Sequence, residues 1–325
     1  MPPRPEDLGV VPLDVEHDGL PGVICAYLLE KPEPTIVDPG PSTSLPALFE
    51  RLEEHGVPPE DLRHLLLTHV HLDHAGGAGQ LVRKYPEITV HVHEEGASHL
   101  TDPTRLVAST RRTFGDAHDR LWGEVLPIPS DRIRAWREGD SWPLPRVRPI
   151  PTPGHIGHHL AWEAERHGVL FTGDVMGVIL HPDTVAHPPT PPPAVDLEAW
   201  RRTLDKTLAP IDVEAFAPTH FGLHGDFHGR RRELRAALDR LAERVREAMS
   251  QGEAAEQVDR DAYDREVRGE LDPHFSPDWV ERYLETFAPR TDWDGVRFHL
   301  ARTERIRDDS SAASGDGRAS GARDA

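Results

Sequence analysis

The sequence predicts an α/β layered fold that ends in a small helical subdomain, and three observations support this prediction. Short apolar runs typical of strands alternate with helical patterns from Val10 to about Thr219. The opening strands precede any helix, which indicates an antiparallel start to a mixed sheet with helices covering its outer side. After Gly229 only helical patterns remain, so we expect a separate group of helices there.

The predicted strands are short apolar runs bounded by turn residues. They are Val10–Val15, Val23–Leu29, Thr35–Val37, Leu65–Thr68, Ile88–Val92, Val147–Ile150, His159–Glu163, Val169–Thr172 and Glu214–Ala217. Apolar residues at helical spacing predict the helices. These are Ser44–His55, Gly76–Lys84, Leu197–Leu208, Arg230–Gln251, Pro277–Phe287 and Asp292–Arg302.

The same patterns predict how the chain is divided. Residues 1–229 form the layered domain, residues 230–307 the helical subdomain, and residues 308–325 a disordered tail with no apolar residue larger than Ala. Within the first domain, residues 97–124 form a helical insertion. We expect this insertion to cover a site as a lid, unless it packs on a partner subunit as an interface.

Composition limits the classes of function. The 37 basic and 56 acidic side chains give a net charge of -19, so nucleic acid is a poor expected partner. The chain has no apolar run of about 18 residues and no apolar leader, which predicts a cytoplasmic protein that neither spans nor binds a membrane. Its single cysteine, Cys25, excludes an internal disulfide and a cysteine-rich metal site. Nothing in the sequence indicates an oligomeric state.

The strongest chemical signal lies between a buried strand and a helix. Four ligand-type side chains follow the strand Leu65–Thr68 within six positions: His69, His71, Asp73 and His74. The carboxyl ends of strands are where α/β folds place their ligands, and His69 and His71 can point to one side of an extended segment. Imidazole nitrogen and carboxylate oxygen suit zinc, with iron or manganese as alternatives.

Three later segments carry the same signal. His155 follows the strand Val147–Ile150 in a Pro-Gly-His turn. Asp174 follows the apolar run that begins at Val169, and His220 follows the apolar run Ala215–Ala217. Each of the three is weak by itself, since an Asp after a strand is usually a cap or turn residue. Their order and their common position past a strand end together predict a metal site.

The order His-x-His-x-Asp-His, Pro-Gly-His, Gly-Asp and Thr-His resembles that of the metallo-β-lactamase superfamily over roughly residues 10 to 225. This resemblance implies an αββα sandwich with a two-metal site between the edges of its two sheets. It also implies a metal-ligand set in which one metal binds three histidines, the second binds an Asp and two histidines, and a further Asp bridges them. In this chain the resemblance implies that the first metal binds His69, His71 and His155. The second metal then binds Asp73, His74 and His220, and Asp174 bridges the two metals.

The resemblance also implies the chemistry of the site. Two zinc ions about 3.5–4 Å apart share a hydroxide that is nucleophilic at neutral pH. We expect this hydroxide to attack the carbonyl of a small-molecule thioester, ester or lactone, with Asp73 as the catalytic residue that orients it and takes its proton. The helical C-terminal part is similar to the layout of the glyoxalase II-like branch, although the basic residues that hold glutathione there have no match here.

Residues outside the ligand set have weaker interpretations. Asp38, in an Ile-Val-Asp-Pro-Gly run, is expected to support a ligating histidine from behind, or to be a simple turn residue. His91 and His93 share one strand face, where ordinary sheet histidines are favoured over a second metal pair. Arg111 and Arg112 are candidates for a substrate carboxylate or phosphate, although such a pair is more often a solvated face.

Three other functions compete with a hydrolase. An iron-dependent oxidoreductase similar to persulfide dioxygenases uses the same fold, but it needs only two histidines and an aspartate. A nuclease conflicts with the acidic charge and the short helical end. A non-catalytic binding protein would not need a complete ligand set.

Overall fold

Two β-sheets lie face to face between layers of helices in the computed structural model, which describes residues 8–140 and 144–315. The first sheet has six strands in the order β1-β2-β3-β4-β5-β6. These are β1 (Val10–Asp14), β2 (Cys25–Leu29), β3 (Thr35–Val37), β4 (His64–Leu66), β5 (Thr89–His93) and β6 (Ile133–Trp136). The second has the order β10-β9-β8-β7. Its strands are β7 (Val147–Pro151), β8 (Leu160–Ala164), β9 (Val169–Gly173) and β10 (Ala215–Pro218). The predicted α/β sandwich is confirmed.

The strand directions agree with the prediction of a mixed sheet. Strands β1, β2 and β3 are antiparallel, and β3 to β6 then run parallel to one another. In the second sheet β7, β8 and β9 are antiparallel, while β10 is parallel to β9. Because β4, β9 and β10 each end near the same edge of the sandwich, the residues that follow them come together there.

The alternation of side chains along β2 shows how the core is divided. Cys25, Tyr27 and Leu29 point between the sheets and pack with Trp162 and Phe171 of the second sheet. The intervening residues of β2 belong to the larger cluster formed with the outer helices. Burial raises the pKa of Cys25 to about 12, so its thiol is an inert core group, as predicted.

The helices cover both outer faces and then continue beyond the sheets. They are α1 (Leu45–Glu54), α2 (Leu72–Ala75), α3 (Ala78–Lys84), α4 (Glu94–Thr101), α5 (Thr104–Phe114), α6 (His118–Leu121), α7 (Leu197–Arg202), α8 (Phe227–Gln251), α9 (Glu253–Leu271), α10 (Pro277–Thr286) and α11 (Pro289–Gly315). None of the helices in the described ranges is long and apolar enough to cross a membrane.

Two elements were missing from the sequence prediction. Strand β6 lies at the edge of the first sheet with two exposed residues, Arg134 and Ala135, so it lacks an apolar signal. Helix α9 has only a narrow buried stripe, and its Val258 is 67% exposed. The predicted helix Leu197–Leu208 is α7 followed by a π-helical turn at Thr203–Thr207.

The C-terminal helices are held to the layered part by specific hydrogen bonds. Trp279 Nε1 donates to the Pro21 carbonyl at 2.9 Å, and Asp292 Oδ1 accepts from Thr190 N at 2.6 Å. The disordered tail was expected to begin at Asp308, whereas α11 continues to Gly315; residues 316–325 lie outside the described residues. The predicted boundary between domains stays a prediction.

Candidate metal centre

All seven predicted ligands meet at one edge of the sandwich. His69 and His71 follow β4, and α2 then carries Asp73 and His74. The other three follow strands of the second sheet: His155 after β7, Asp174 after β9 and His220 after β10. Their side chains form two groups whose ligand atoms lie within 4.8 Å of one another inside each group.

The first group contains three imidazoles and one carboxylate. His71 Nδ1 lies 2.9 Å from His69 Nε2 and 2.9 Å from His155 Nε2. Asp174 Oδ2 lies 3.3 Å from His155 Nε2 and 4.0 Å from His69 Nε2. Four donor atoms therefore face one point, as a tetrahedral metal site requires.

The second group shares Asp174 with the first. Its other oxygen, Oδ1, lies 3.3 Å from His74 Nε2 and 3.8 Å from His220 Nε2. Asp73 Oδ2 is 3.3 Å from His220 Nε2 and 3.7 Å from His74 Nε2. The two oxygens of Asp174 therefore face different groups of ligand atoms.

Asp38 supports the second group from beneath, as the sequence predicted. Its Oδ2 lies 2.8 Å from His74 Nδ1 and accepts from the hydroxyls of Thr68 and Thr219, at 2.7 and 2.8 Å. Its Oδ1 accepts from the Thr68 backbone N–H at 2.8 Å. This buried carboxylate fixes the orientation of His74 so that Nε2 faces the site.

Backbone carbonyls orient two other histidines in the same way. His155 Nδ1 donates to the Pro189 carbonyl at 2.7 Å, and His220 Nδ1 donates to the Val23 carbonyl at 2.8 Å. With Nδ1 protonated, each imidazole presents an unprotonated Nε2, which is the form that binds metal.

Burial keeps the imidazoles of the first group neutral. It lowers the pKa of His71 to about 3, and it also lowers the pKa of His69 and His155. Protons therefore do not compete with a metal ion for these three ring nitrogens at neutral pH.

The second group instead lies in a negative potential. Burial opposes protonation of His74, but the carboxylates of Asp174, Asp73 and Asp38 outweigh it and raise the pKa of that imidazole. For Asp174, burial would raise the pKa, yet the imidazoles of His74 and His155 hold it well below its usual range. A position that stabilises an added proton so strongly also stabilises a metal cation.

Two buried atoms show that the residues fit a metal. His74 Nε2 and Asp174 Oδ1 face each other with no hydrogen-bond partner within the described part of the chain. Buried polar atoms without partners are costly, and metal coordination would satisfy both. The nitrogen and oxygen donor set suits zinc and other borderline divalent metals.

Gly173 allows the bridging carboxylate to reach this position. The residue has φ +48°, and a Cβ built there would lie 2.5 Å from Thr68 Oγ1 and 2.8 Å from His159 Nε2. Only glycine fits this conformation and this close approach without strain. The glycine that precedes Asp174 at the end of β9 is thus explained by the lack of space for a side chain.

Two histidines near the centre were not assigned from sequence. His159 Nε2 accepts from the Asp174 backbone N–H at 3.2 Å, and its Nδ1 lies 2.8 Å from Thr152 Oγ1. Its position four residues after His155 was the available signal. His17 is buried against the Trp122 ring, at 5.1 Å between centroids, and no local motif marked it.

The remaining histidine and arginine candidates lie outside the centre. His91 lies in the sheet with its Nε2 3.1 Å from His64 Nδ1, and His93 caps α4 by accepting from Glu95 N. Both are sheet histidines, in keeping with the favoured interpretation. Arg111 is exposed and pairs with Asp119, which fits a solvated face.

A pocket of about 480 Å³ opens onto the metal centre. Five of the seven ligands line it: His71, Asp73, His155, Asp174 and His220. Further walls come from the 97–124 insertion, from the proline-rich loop of residues 187–193 and from helices α9 to α11. The insertion therefore lies beside the site, and its movement as a lid stays a prediction.

Comparisons with known proteins agree with this geometry. Residues 21–252 match the model of the metallo-beta-lactamase superfamily. The chain is 27% identical over 194 residues to the metallo-beta-lactamase fold-containing protein ST1585 of Sulfurisphaera tokodaii, covering 58% of this chain and 69% of that protein. It is 28% identical over 169 residues to the thioesterase pkgB of Emericella nidulans, covering 52% of this chain and 36% of that protein.

A solved structure extends the likeness to the C-terminal helices. The metallo-beta-lactamase family protein TTHA1429 of Thermus thermophilus superposes with a TM-score of 0.61 at 23% identity, covering 93% of this chain and 94% of that one. This likeness concerns the fold.

The chain belongs to the metallo-beta-lactamase superfamily, since the family model covers most of its length. Together with the histidine and aspartate clusters, membership makes it a metal-dependent enzyme of the hydrolase type.

Proposed function

We propose that this protein is a binuclear zinc hydrolase that cleaves a thioester, ester or lactone bond of a small molecule. The observation that carries the proposal is the Asp174 carboxylate, whose two oxygens face two separate groups of ligands. His69, His71 and His155 would hold one metal, and Asp73, His74 and His220 the other. Two curated relatives named as thioesterases, pkgB and the atrochrysone carboxyl ACP thioesterase of Aspergillus fumigatus, support the bond class.

The metal pair, when bound, supplies a water of lowered pKa and polarises the carbonyl under attack. The residues of the chain orient the reacting groups and supply charge near them. Asp73 reaches the centre from α2 and also lines the pocket, so its carboxylate faces the space where a substrate lies. We propose that it orients the attacking water by accepting its hydrogen bond and takes up its proton.

The charge state of Asp73 suits this role. Burial would raise its pKa, but the neighbouring His74 and His220 imidazoles hold the pKa below its usual range. Asp73 is therefore ionised at neutral pH and can accept a hydrogen bond. Because a low pKa makes it a weak base, its main contribution is orientation.

We also propose that the protein follows the glyoxalase II-like layout, in which C-terminal helices complete the substrate pocket. Helices α9, α10 and α11 contribute Tyr263, Tyr283 and Asp292 to the pocket wall. The substrate is a small molecule, and neither nucleic acid nor a membrane is a proposed partner. We also propose that the protein acts in the cytoplasm.

The test combines metal content with activity. The purified protein is analysed for zinc, iron and manganese, and the same preparation is assayed on a panel of simple thioesters, esters and lactones. About two zinc per chain with hydrolysis of at least one bond class supports the proposal. One iron per chain with no hydrolysis, and oxygen uptake with glutathione persulfide, would instead establish the dioxygenase alternative.

A further inference from the structure

The pocket beside the metal centre has mostly hydrocarbon walls. The insertion and the C-terminal helices supply large apolar side chains from opposite parts of the sequence. Six of them are Leu106, Phe114, Trp122, Val267, Leu271 and Phe287. A cavity of about 480 Å³ is in the range that encloses most of a small organic ligand. Such walls favour an apolar acyl or aryl group through removal of its surface from water.

The pocket offers little to balance a negative charge on a ligand. Among the described residues that line the pocket, Arg105 is the only basic side chain of the Lys or Arg type, and it is an exposed residue of α5. His187 is already paired with Glu270, with 2.8 Å between Nε2 and Oε2. Burial lowers the pKa of His158 to about 4, so that imidazole is neutral at pH 7. A carboxylate or phosphate held away from the metal centre and from Arg105 would lose hydration without gaining an ion pair from the described walls.

Three polar side chains interrupt the apolar wall on the side of the C-terminal helices. They are Tyr263 of α9, Tyr283 of α10 and Asp292 of α11. Asp292 Oδ1 accepts from Thr190 N, whereas no described residue hydrogen-bonds to Oδ2 or to either tyrosine hydroxyl. These atoms belong to residues that line the pocket, so they are available to a ligand.

Burial also reduces the charge on this polar cluster near neutral pH. Burial raises the pKa of Asp292 to about 7, and no Lys or Arg in the described part of the chain pairs with it. Burial raises the pKa of Tyr263 and Tyr283, and Asp292 is the neighbouring charge that adds most to the effect. The cluster thus offers hydroxyl donors and acceptors more than a fixed charge.

Building on the proposed hydrolase function, we propose that the substrate carries an uncharged, mostly hydrocarbon acyl or aryl group with a neutral hydroxyl or carbonyl substituent. The hydrocarbon part lies against the six apolar side chains. The substituent is hydrogen-bonded by Tyr263, Tyr283 and Asp292, which act as specificity-determining residues.

The test uses the zinc-loaded full-length protein and para-nitrophenyl esters of five acids. These are acetate, octanoate, ω-hydroxyoctanoate, ω-aminooctanoate and the monoester of octanedioate. We expect kcat/KM for octanoate to exceed that for acetate by at least about tenfold, since each buried methylene contributes about 0.8 kcal/mol. The ω-hydroxy ester should exceed the octanedioate monoester by at least about tenfold, because the pocket leaves an anion unpaired.

Single substitutions then test the polar cluster. Tyr263→Phe and Tyr283→Phe remove one hydroxyl each and should lower the ratio of kcat/KM between the ω-hydroxy and unsubstituted octanoyl esters by about two- to tenfold. Tyr85→Phe is the matched control, because Tyr85 packs on Phe49 away from the pocket, and it should leave this ratio unchanged. Circular dichroism and zinc content establish that each variant is folded and loaded.

The outcomes separate this inference from the hydrolase proposal. If the esters are cleaved but chain length has no effect, or the carboxy or amino chain is preferred, the inference is wrong while the hydrolase proposal stands. If no ester is cleaved, calorimetric titration with octane-diol and with octanedioate tests the pocket alone. Binding of the diol at least tenfold tighter than the dianion supports the inference, and equal or reversed affinities overturn it.

Discussion

The metal centre and the pocket beside it are formed by residues of different chemical character from different parts of the chain. The centre consists of His and Asp residues that follow strands, and three of its histidines, His74, His155 and His220, are oriented from behind by a carboxylate or a backbone carbonyl. The pocket wall is mostly apolar and comes largely from the 97–124 insertion and the C-terminal helices. Under the proposed function, this difference predicts that bond cleavage and substrate choice depend on separate sets of residues. Substitutions in the centre should change metal content, and substitutions in the wall should change selectivity.

The largest expected effect is that of Asp174→Ala, which removes both oxygens that face the two ligand groups. We expect bound metal to fall from about two per chain to one or fewer. Hydrolysis should fall by at least about a thousandfold, which corresponds to about 4 kcal/mol of lost transition-state stabilisation. Elemental analysis and steady-state kinetics measure the two effects.

The matched control is Asp131→Ala, because that side chain is 77% exposed and is not among the described residues that line the pocket. Two metals per chain and unchanged kinetics are expected for it. An Asp174→Ala protein that keeps two metals and full activity would show that the centre is not binuclear in the way proposed.

The next effect concerns the support beneath the centre. Asp38→Asn keeps the shape of the side chain, and Asn tolerates the φ of +48° at this position. The neutral amide no longer strengthens the His74 imidazole, so we expect metal affinity to fall by about 10- to 100-fold. Competition with a zinc chelator measures the affinity. Unchanged affinity in a folded variant would mean that Asp38 has only a structural role.

The contrast between the two regions also explains how much the sequence could predict. Each ligand follows a strand of apolar residues, and Asp38 lies within a recognisable turn, so local pattern and order located the centre. The sandwich followed from strand patterns for the same reason. Nothing local marks His17, because its contact is with Trp122 of the insertion, a residue distant in the sequence.

The pocket wall could not be predicted because its contacts join distant segments. Asp292 reaches Thr190 across 102 residues, and Tyr283 stacks on Phe287 beside His220. Helix α9, which supplies Tyr263, was missed because its apolar stripe is narrow. Periodicity identifies which face of a helix is buried, but not which other helix or loop it meets.

A moderate effect on KM is expected for a substitution in the apolar wall of the pocket. Phe114 of α5 is half-buried and packs edge-to-face against Trp122, with 5.1 Å between ring centroids. Phe114→Ala should raise KM for an octanoyl ester by up to about tenfold, because part of the ligand's apolar contact is lost. Zinc content should stay at the wild-type value.

The control for this substitution is Phe298→Ala, since Phe298 is 40% exposed on α11. It should leave KM unchanged. Loss of zinc in Phe114→Ala would contradict the separation of the two regions, because the insertion would then be needed to hold the centre.

The smallest effect is expected for the arginine pair of the insertion. Arg111 and Asp119 form an ion pair with side chains 52% and 67% exposed, and neither Arg111 nor Arg112 is among the described residues that line the pocket. Water and salt screen exposed ion pairs of this kind, so they contribute little to stability. The double substitution of both arginines by Ala should therefore shift Tm by only a few degrees and leave KM for neutral and anionic esters unchanged. A large rise in KM confined to anionic esters would show that the insertion moves these arginines onto the substrate, and the pocket would then select a charged group.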